Sequence, residues 1–203
     1  MRTKRILSLL MVVAMLLSLA TSFVQAASTP EEALGEVNIF NGGQSLNCLA
    51  VNGRVQELNY VYYRYVGVAG TREIPAYCVN PTDAGVPQKV PAGQSIAYMA
   101  KDRASDPKIM GIVSNGYPTK SLGELGLQNK VEGYYATKTA LWCYIIPGWS
   151  ISNVTVNPSL SGSAKTQAER VLAAAKKIYQ NGSWWTSVPT AGLTTTADKE
   201  YAY

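Results

Sequence analysis

Apolar residues alternate or cluster in short runs over the first half of the chain, and recur at helical spacing over the second. Glu36 to Phe40 predicts a first strand, ended by Asn41-Gly42-Gly43. Leu46 to Val51 and Arg54 to Leu58 flank Asn52-Gly53, a pair that supplies the positive φ angles of a type I′ hairpin turn. Tyr60 to Val68, rich in Tyr and Val, predicts another strand. Ala69-Gly70 turns the chain into Thr71 to Val79, where Pro75 favours a sheet edge because it has no amide hydrogen to give a neighbour. A turn-rich connection from Thr82 to Gln94 leads to an expected short helix around Ser95 to Lys101. Ile109 to Asn115 is short and apolar, and Gly116-Tyr117-Pro118 breaks it.

Two longer helices follow. Asn129 with Glu132 three residues on is a capping-box-like start, and Pro147-Gly148 stops the helix after Ile146. Val131, Tyr135, Lys138, Trp142 and Ile145 fall on one face of this segment, widened by Tyr134 and Leu141. Gly133 weakens the helix modestly. Thr166-Gln167-Ala168-Glu169 opens the second helix, with Val171, Leu172, Ala175, Ile178 and Tyr179 as its apolar face and Asn181-Gly182 as its stop. Strands first and helices second predict an α+β fold, with an antiparallel, barrel-like sheet in the N-terminal half and helices in the C-terminal half.

Lys138 is the anomaly in this pattern. An ammonium on a core-facing stripe is costly unless it is paired, loses its proton or reaches water.

The ends of the chain change the charge picture. Arg2, Lys4 and Arg5 precede an apolar run from Ile6 to Val24, and Val24-Gln25-Ala26 has the small-x-small form of a signal-peptidase site. Residues 1–26 are therefore expected to be a secretory signal peptide cleaved after Ala26, followed by a polar leader over 27–35 and one domain over 36–186. Residues 187–203 read as a linker and the possible start of a further β-domain. Removing the signal takes three of the 18 basic residues and none of the 13 acidic ones, so the mature net charge is +2 rather than +5. That balance gives no reason to expect a nucleic-acid or membrane partner after cleavage.

Histidine is absent, which excludes Ser-His-Asp and Cys-His catalysis and His-containing zinc sites. Three cysteines, Cys48, Cys78 and Cys143, leave at least one thiol outside any internal disulfide. No metal or cofactor is implied. Asn153-Val154-Thr155 and Asn181-Gly182-Ser183 match glycosylation triplets that are common by chance, and Trp184-Trp185 reads as a packing lid.

The segment Tyr77-Cys78-Val79-Asn80-Pro81, the Gly116-Tyr117-Pro118 triplet, Leu125-Gly126-Leu127 and Ala136-Thr137-Lys138-Thr139-Ala140-Leu141-Trp142 occur in this order. Together they resemble the thioester domains of Gram-positive surface adhesins, over roughly Gly35 to Gly182. The resemblance implies an internal thioester between a cysteine sulfur and a helix glutamine, formed with loss of ammonia and opened by a nucleophile on a host molecule. It places Cys78 at the cysteine, Tyr77, Thr137 and Trp142 beside the site, and Lys138 where the family has glutamine.

A lysine side chain has no acyl carbon, so Cys78 and Lys138 cannot form a thioester. Gln128, the nearest upstream glutamine, lies almost three turns away. Three readings of the pair remain: a degenerate site with Lys138 paired to a carboxylate or solvated, a Cys78 thiol activated by Lys138, and a disulfide from Cys78 to Cys48 or Cys143. The expected function is a secreted or cell-surface adhesin-type domain, not an enzyme, that binds an extracellular protein or glycan on a host or neighbouring surface. The alternatives are a non-covalent binding or spacer domain and a thiol-redox protein using Cys78.

Overall fold

The computed structural model describes residues 33–67, 70–80, 85–87, 89–101 and 106–187. The expected signal peptide, most of the leader and the linker beyond residue 187 lie outside them. The described residues from Leu34 on form one compact unit. Among the described residues, no helix is long and apolar enough to cross a membrane.

The first half supplies four strands of a five-stranded sheet, β1 (Ala33–Val51), β2 (Arg54–Gly67), β3 (Gly70–Pro75) and β4 (Ser95–Lys101), and the second half adds the short β5 (Val154–Val156). The order is β3-β2-β1-β4, and β5 pairs antiparallel with the end of β1. The Asn52-Gly53 hairpin forms as its sequence requires. Val51 faces Arg54 across it, with φ of 50° at Asn52 and 75° at Gly53. β3 is an edge strand and ends at Pro75.

Two expectations fail in this half. Asn41-Gly42-Gly43 does not end a strand: β1 runs through it with a shift of register between Asn41 and Ser45. The buried Asn41 holds that irregularity by donating to Val90 O at 2.6 Å and accepting from Gly43 N at 2.9 Å. A side chain at Gly42 would run into the Tyr60 ring, so glycine here admits a close neighbour and does not break the strand. Ser95 to Lys101 is β4 and not a helix. Ile96 and Tyr98 are half-buried while Ser95 and Ala97 are exposed, a period of two, and seven residues are too few for a helix to outlast pairing with β1.

Among the described residues, the second half packs four α-helices: α1 (Pro107–Ser114), α2 (Leu122–Leu125), α3 (Lys130–Ile145) and α4 (Gly162–Gly182). The apolar segment around Ile109 is α1, with Pro107 in its first turn and Asp106 accepting from the amides of Lys108 and Ile109. α4 begins at Gly162, with Ser161 as its N-cap, ahead of the expected Thr166 start. Of its expected apolar face Val171, Ala175 and Ile178 are buried and Leu172 and Tyr179 partly so, while Ala168 and Ala174, outside that reading, are buried as well. α1 and α4 touch at Gly111 and Gly182, where any Cβ would collide with the opposing backbone. Trp185 covers that crossing, whereas Trp184 is 69% exposed, so only half of the Trp pair is a lid.

α3 lies at the centre and is buried on every side from Val131 to Leu141, where sequence periodicity suggested a single face. Asn129 caps it, accepting from the amides of Val131 and Glu132. Glu132 does not close a capping box. Its carboxylate accepts from Gln128 N at 3.0 Å, Asn129 Nδ2 at 3.0 Å, Gln167 Nε2 at 2.9 Å and both Nε and Nη2 of Arg170, the latter at 2.7 Å. Burial alone would raise the Glu132 pKa, but the hydrogen bonds from Arg170, the Gln128 amide and Gln167 outweigh it and bring the pKa down to about 2. This cluster fastens the start of α3 to α4.

Because the folded pKa of Glu132 lies below its unfolded value, the unfolded chain binds more protons between the two. This contribution is complete above about pH 4.5 and is lost as pH falls toward about 2. Glu132→Gln is expected to cost about 2–4 kcal/mol at pH 7, near the range for breaking a buried ion pair but reduced because Arg170 keeps some solvent. Urea denaturation at pH 7 and pH 3 checks both points: the gap between wild type and variant should narrow at the lower pH.

Candidate functional site

Beyond Pro75 the chain leaves the sheet edge, with Ala76 N donating to Val61 O at 3.1 Å as its last tie to β2. Residues 76–80 have no regular structure and turn toward α3. Tyr77 anchors them by stacking on Tyr134 of α3, centroids 5.2 Å apart and planes within 12°, and by donating its hydroxyl to Tyr117 O. The Cys78 carbonyl accepts from Trp142 Nε1 at 3.0 Å, and its thiol donates to Asn80 O at 3.0 Å. The aromatic side chains of one helix therefore fix the half-buried cysteine loop.

The glycine triplet interlocks with the same helix. Tyr117 N donates to Thr137 Oγ1 at 2.9 Å, and that hydroxyl donates to Gly133 O at 2.9 Å. A Cβ at Gly116 would strike the Thr137 side chain, and one at Gly133 would lie 2.7 Å from the Tyr117 ring. Gly133 is thus an opening for Tyr117 as well as a weak helix former. Gly126 ends α2 at φ of 71°, and Leu125 and Leu127 on either side of it are buried.

Lys138 occupies the middle of this arrangement, 9% exposed. Its Nζ donates to Tyr134 Oη at 3.1 Å and sits 4.5 Å from the Trp142 ring centroid and 5.3 Å from that of Tyr134. Tyr134, Lys138 and Trp142 are spaced i, i+4 and i+8, so one ridge of α3 builds the cage around the amine. None of the ion pairs among the described residues includes Lys138. Burial, opposed by the neighbouring Cys78 side chain, brings its pKa down to about 8. Tyr98 of β4 also feels that sulfur: burial first and then Cys78 raise its pKa. Burial also raises the Tyr134 pKa well above the ordinary phenol value, with Tyr77 and Cys78 adding to it.

Tyr77, Cys78, Thr137, Lys138 and Trp142 are thus brought together. Cys48 and Cys143 are not part of the cluster. Both are core residues whose thiols burial pushes up to about 12. All three cysteines are free in the structure, so the disulfide, one of the three readings of Cys78, gains no support from it. The carboxylate partner expected for Lys138 is replaced by a phenol and two aromatic faces. Tyr98 was missed because its segment read as a helix. Tyr134 was visible as part of the widened face, and its i−4 spacing from Lys138 was the signal for its role.

The family model for the Thioester domain matches residues 75–183, just over half of the chain and the whole of this site. The chain belongs to the thioester-domain family. Among solved structures, the thioester domain of the Enterococcus faecium TIE86 protein is 20% identical, with a TM-score of 0.54 over 76% of this chain and 52% of that one. The Bacillus anthracis TIE protein is 21% identical with a TM-score of 0.40, over 70% of this chain and 24% of that one. This chain thus spans about half the length of the first of these. No curated protein sequence matches it.

Lys138 has a folded pKa below its unfolded value, so the unfolded chain binds the extra proton between about pH 8 and 10.5 and stability gains with pH across that window. The core tyrosines and the Cys48 and Cys143 thiols act oppositely at alkaline pH, so the effect is read as a difference between two proteins. Relative to Lys138→Met, wild type should gain on the order of 3 kcal/mol between pH 8 and 10.5, as follows from about 1.4 kcal/mol per pKa unit. Denaturant titrations of both proteins across this range check it, and a flat difference would mean that the amine is solvated.

Proposed function

We propose that this chain is a secreted or cell-surface adhesin-type domain that binds its ligand without the family's Cys–Gln thioester. One observation carries the reading: the glutamine's place on α3 is taken by a buried amine, Lys138, above the Trp142 indole that also holds the Cys78 loop. An amine there supplies no acyl carbon, so the electrophile that captures a host nucleophile cannot assemble. Family membership supports the surface role, since the scaffold around the missing bond is retained. The ligand class is an extracellular protein or glycan on a host or neighbouring surface. No nucleic acid or membrane partner and no catalytic turnover are part of this proposal.

The test is to put the acyl donor back. Lys138→Gln should lose one ammonia on folding, protect Cys78 from alkylation and form adducts with a small primary amine. Wild type should do none of these. Wild type bound to a cell or matrix surface should elute fully in denaturant, whereas part of the Lys138→Gln protein should stay attached. Wild-type adducts with amines would overturn the reading, and an inert Lys138→Gln variant would show that the scaffold no longer supports the bond.

A further inference from the structure

The domain holds a half-buried free thiol, Cys78, and a buried amine, Lys138, with no described carboxylate partner, and a single indole touches both residues. Trp142 Nε1 holds the Cys78 carbonyl at 3.0 Å, and the Lys138 amine lies 4.5 Å from the same ring's centroid. Cys78 is half-buried, so a small oxidant reaches it, while the other two cysteines are in the core. The amine is nine-tenths buried, makes its one described hydrogen bond to a phenol, and has no described carboxylate to hold it protonated or draw it away.

We infer that Cys78 and Lys138 form an oxidation-dependent sulfur–nitrogen link that closes the residue 76–80 loop onto α3. This rests on the preceding reading, which leaves both groups free. In the first step a hydroperoxide gives one oxygen to the Cys78 thiol, yielding a sulfenic acid and water (or an alcohol). In the second, the neutral Lys138 amine attacks that sulfur, the S–O bond breaks, and the hydroxyl leaves with one amine proton as a second water. The product is a sulfenamide: sulfur has lost two electrons, the peroxide has gained them, and the protein has lost two hydrogens. The lowered Lys138 pKa keeps part of the amine in the neutral, nucleophilic form near pH 8. A thiol reductant returns both groups. The slot in which the family stores an acyl electrophile becomes a reversible redox clasp, set by the oxidant outside the cell.

The mature domain is treated with hydrogen peroxide, alkylated under denaturing conditions and mapped by tryptic digestion, with Lys138→Met as the comparison. Wild type should lose two hydrogens, lose cleavage after Lys138, and give one peptide joining Cys78 to Lys138, with Cys48 and Cys143 still alkylated. Dithiothreitol should restore the original map. In Lys138→Met, Cys78 should instead trap dimedone or go on to the sulfinic acid. Equal dimedone labelling in the two proteins, or two lost hydrogens mapping to a cysteine–cysteine peptide, would overturn the inference. A missing ammonia in the untreated protein would overturn the preceding reading instead, so the two failures are distinct.

Discussion

A helix with no side open to solvent must find a partner for every polar group it carries, and three of those on α3, Glu132, Thr137 and Lys138, decide what packs around it. That constraint organises the rest of the domain. Glu132 draws in Arg170 and Gln167 and so brings α4 alongside. Thr137 accepts from Tyr117 and so seats the Gly116-Tyr117-Pro118 triplet, which itself needs Gly116 and Gly133 for clearance. Lys138 takes the hydroxyl of Tyr134 and the face of Trp142. The same two aromatic residues hold Tyr77 and the Cys78 carbonyl, so what accommodates the lysine also positions the cysteine. Two of these groups are fully satisfied hydrogen-bond centres. The third is an amine kept in an aromatic cage at the cost of its proton affinity.

The chemistry follows from that third group. The thioester-domain scaffold brings a loop cysteine and a helix side chain together in a water-poor, aromatic site, which suits the storage of an electrophile. Replacing an amide by an amine preserves the position and reverses the reactivity. The site then holds two nucleophiles, with no acyl carbon between them. Two nucleophiles can be joined only by removing electrons, which is why oxidation is the covalent chemistry left to this pair.

Much of this was legible in the sequence. Asn52-Gly53, the Pro75 edge, the Asn129 cap and the α4 apolar stripe each follow from local rules, and each is where those rules place it. The motif residues around Cys78 and Lys138 also named their own meeting point. What was hidden depends on long-range packing. Ser95 to Lys101 became a strand because β1 offered a partner, and Asn41-Gly42-Gly43 stayed within β1 because Val90, Gly93 and Tyr60 close around it. The α3 stripe could not be seen as a fully buried helix, since burial on its remaining sides comes from β2, α1 and α4. For the same reason Glu132 read as a cap and not as the anchor of a buried cluster.

The intact mass of the mature, reduced domain, with and without alkylation after unfolding, tests the central claim most directly. The expected result is the full sequence mass after signal removal, with all three cysteines alkylated. A mass short by one ammonia, with Cys78 alone protected, would show that a thioester forms despite Lys138 and would contradict it.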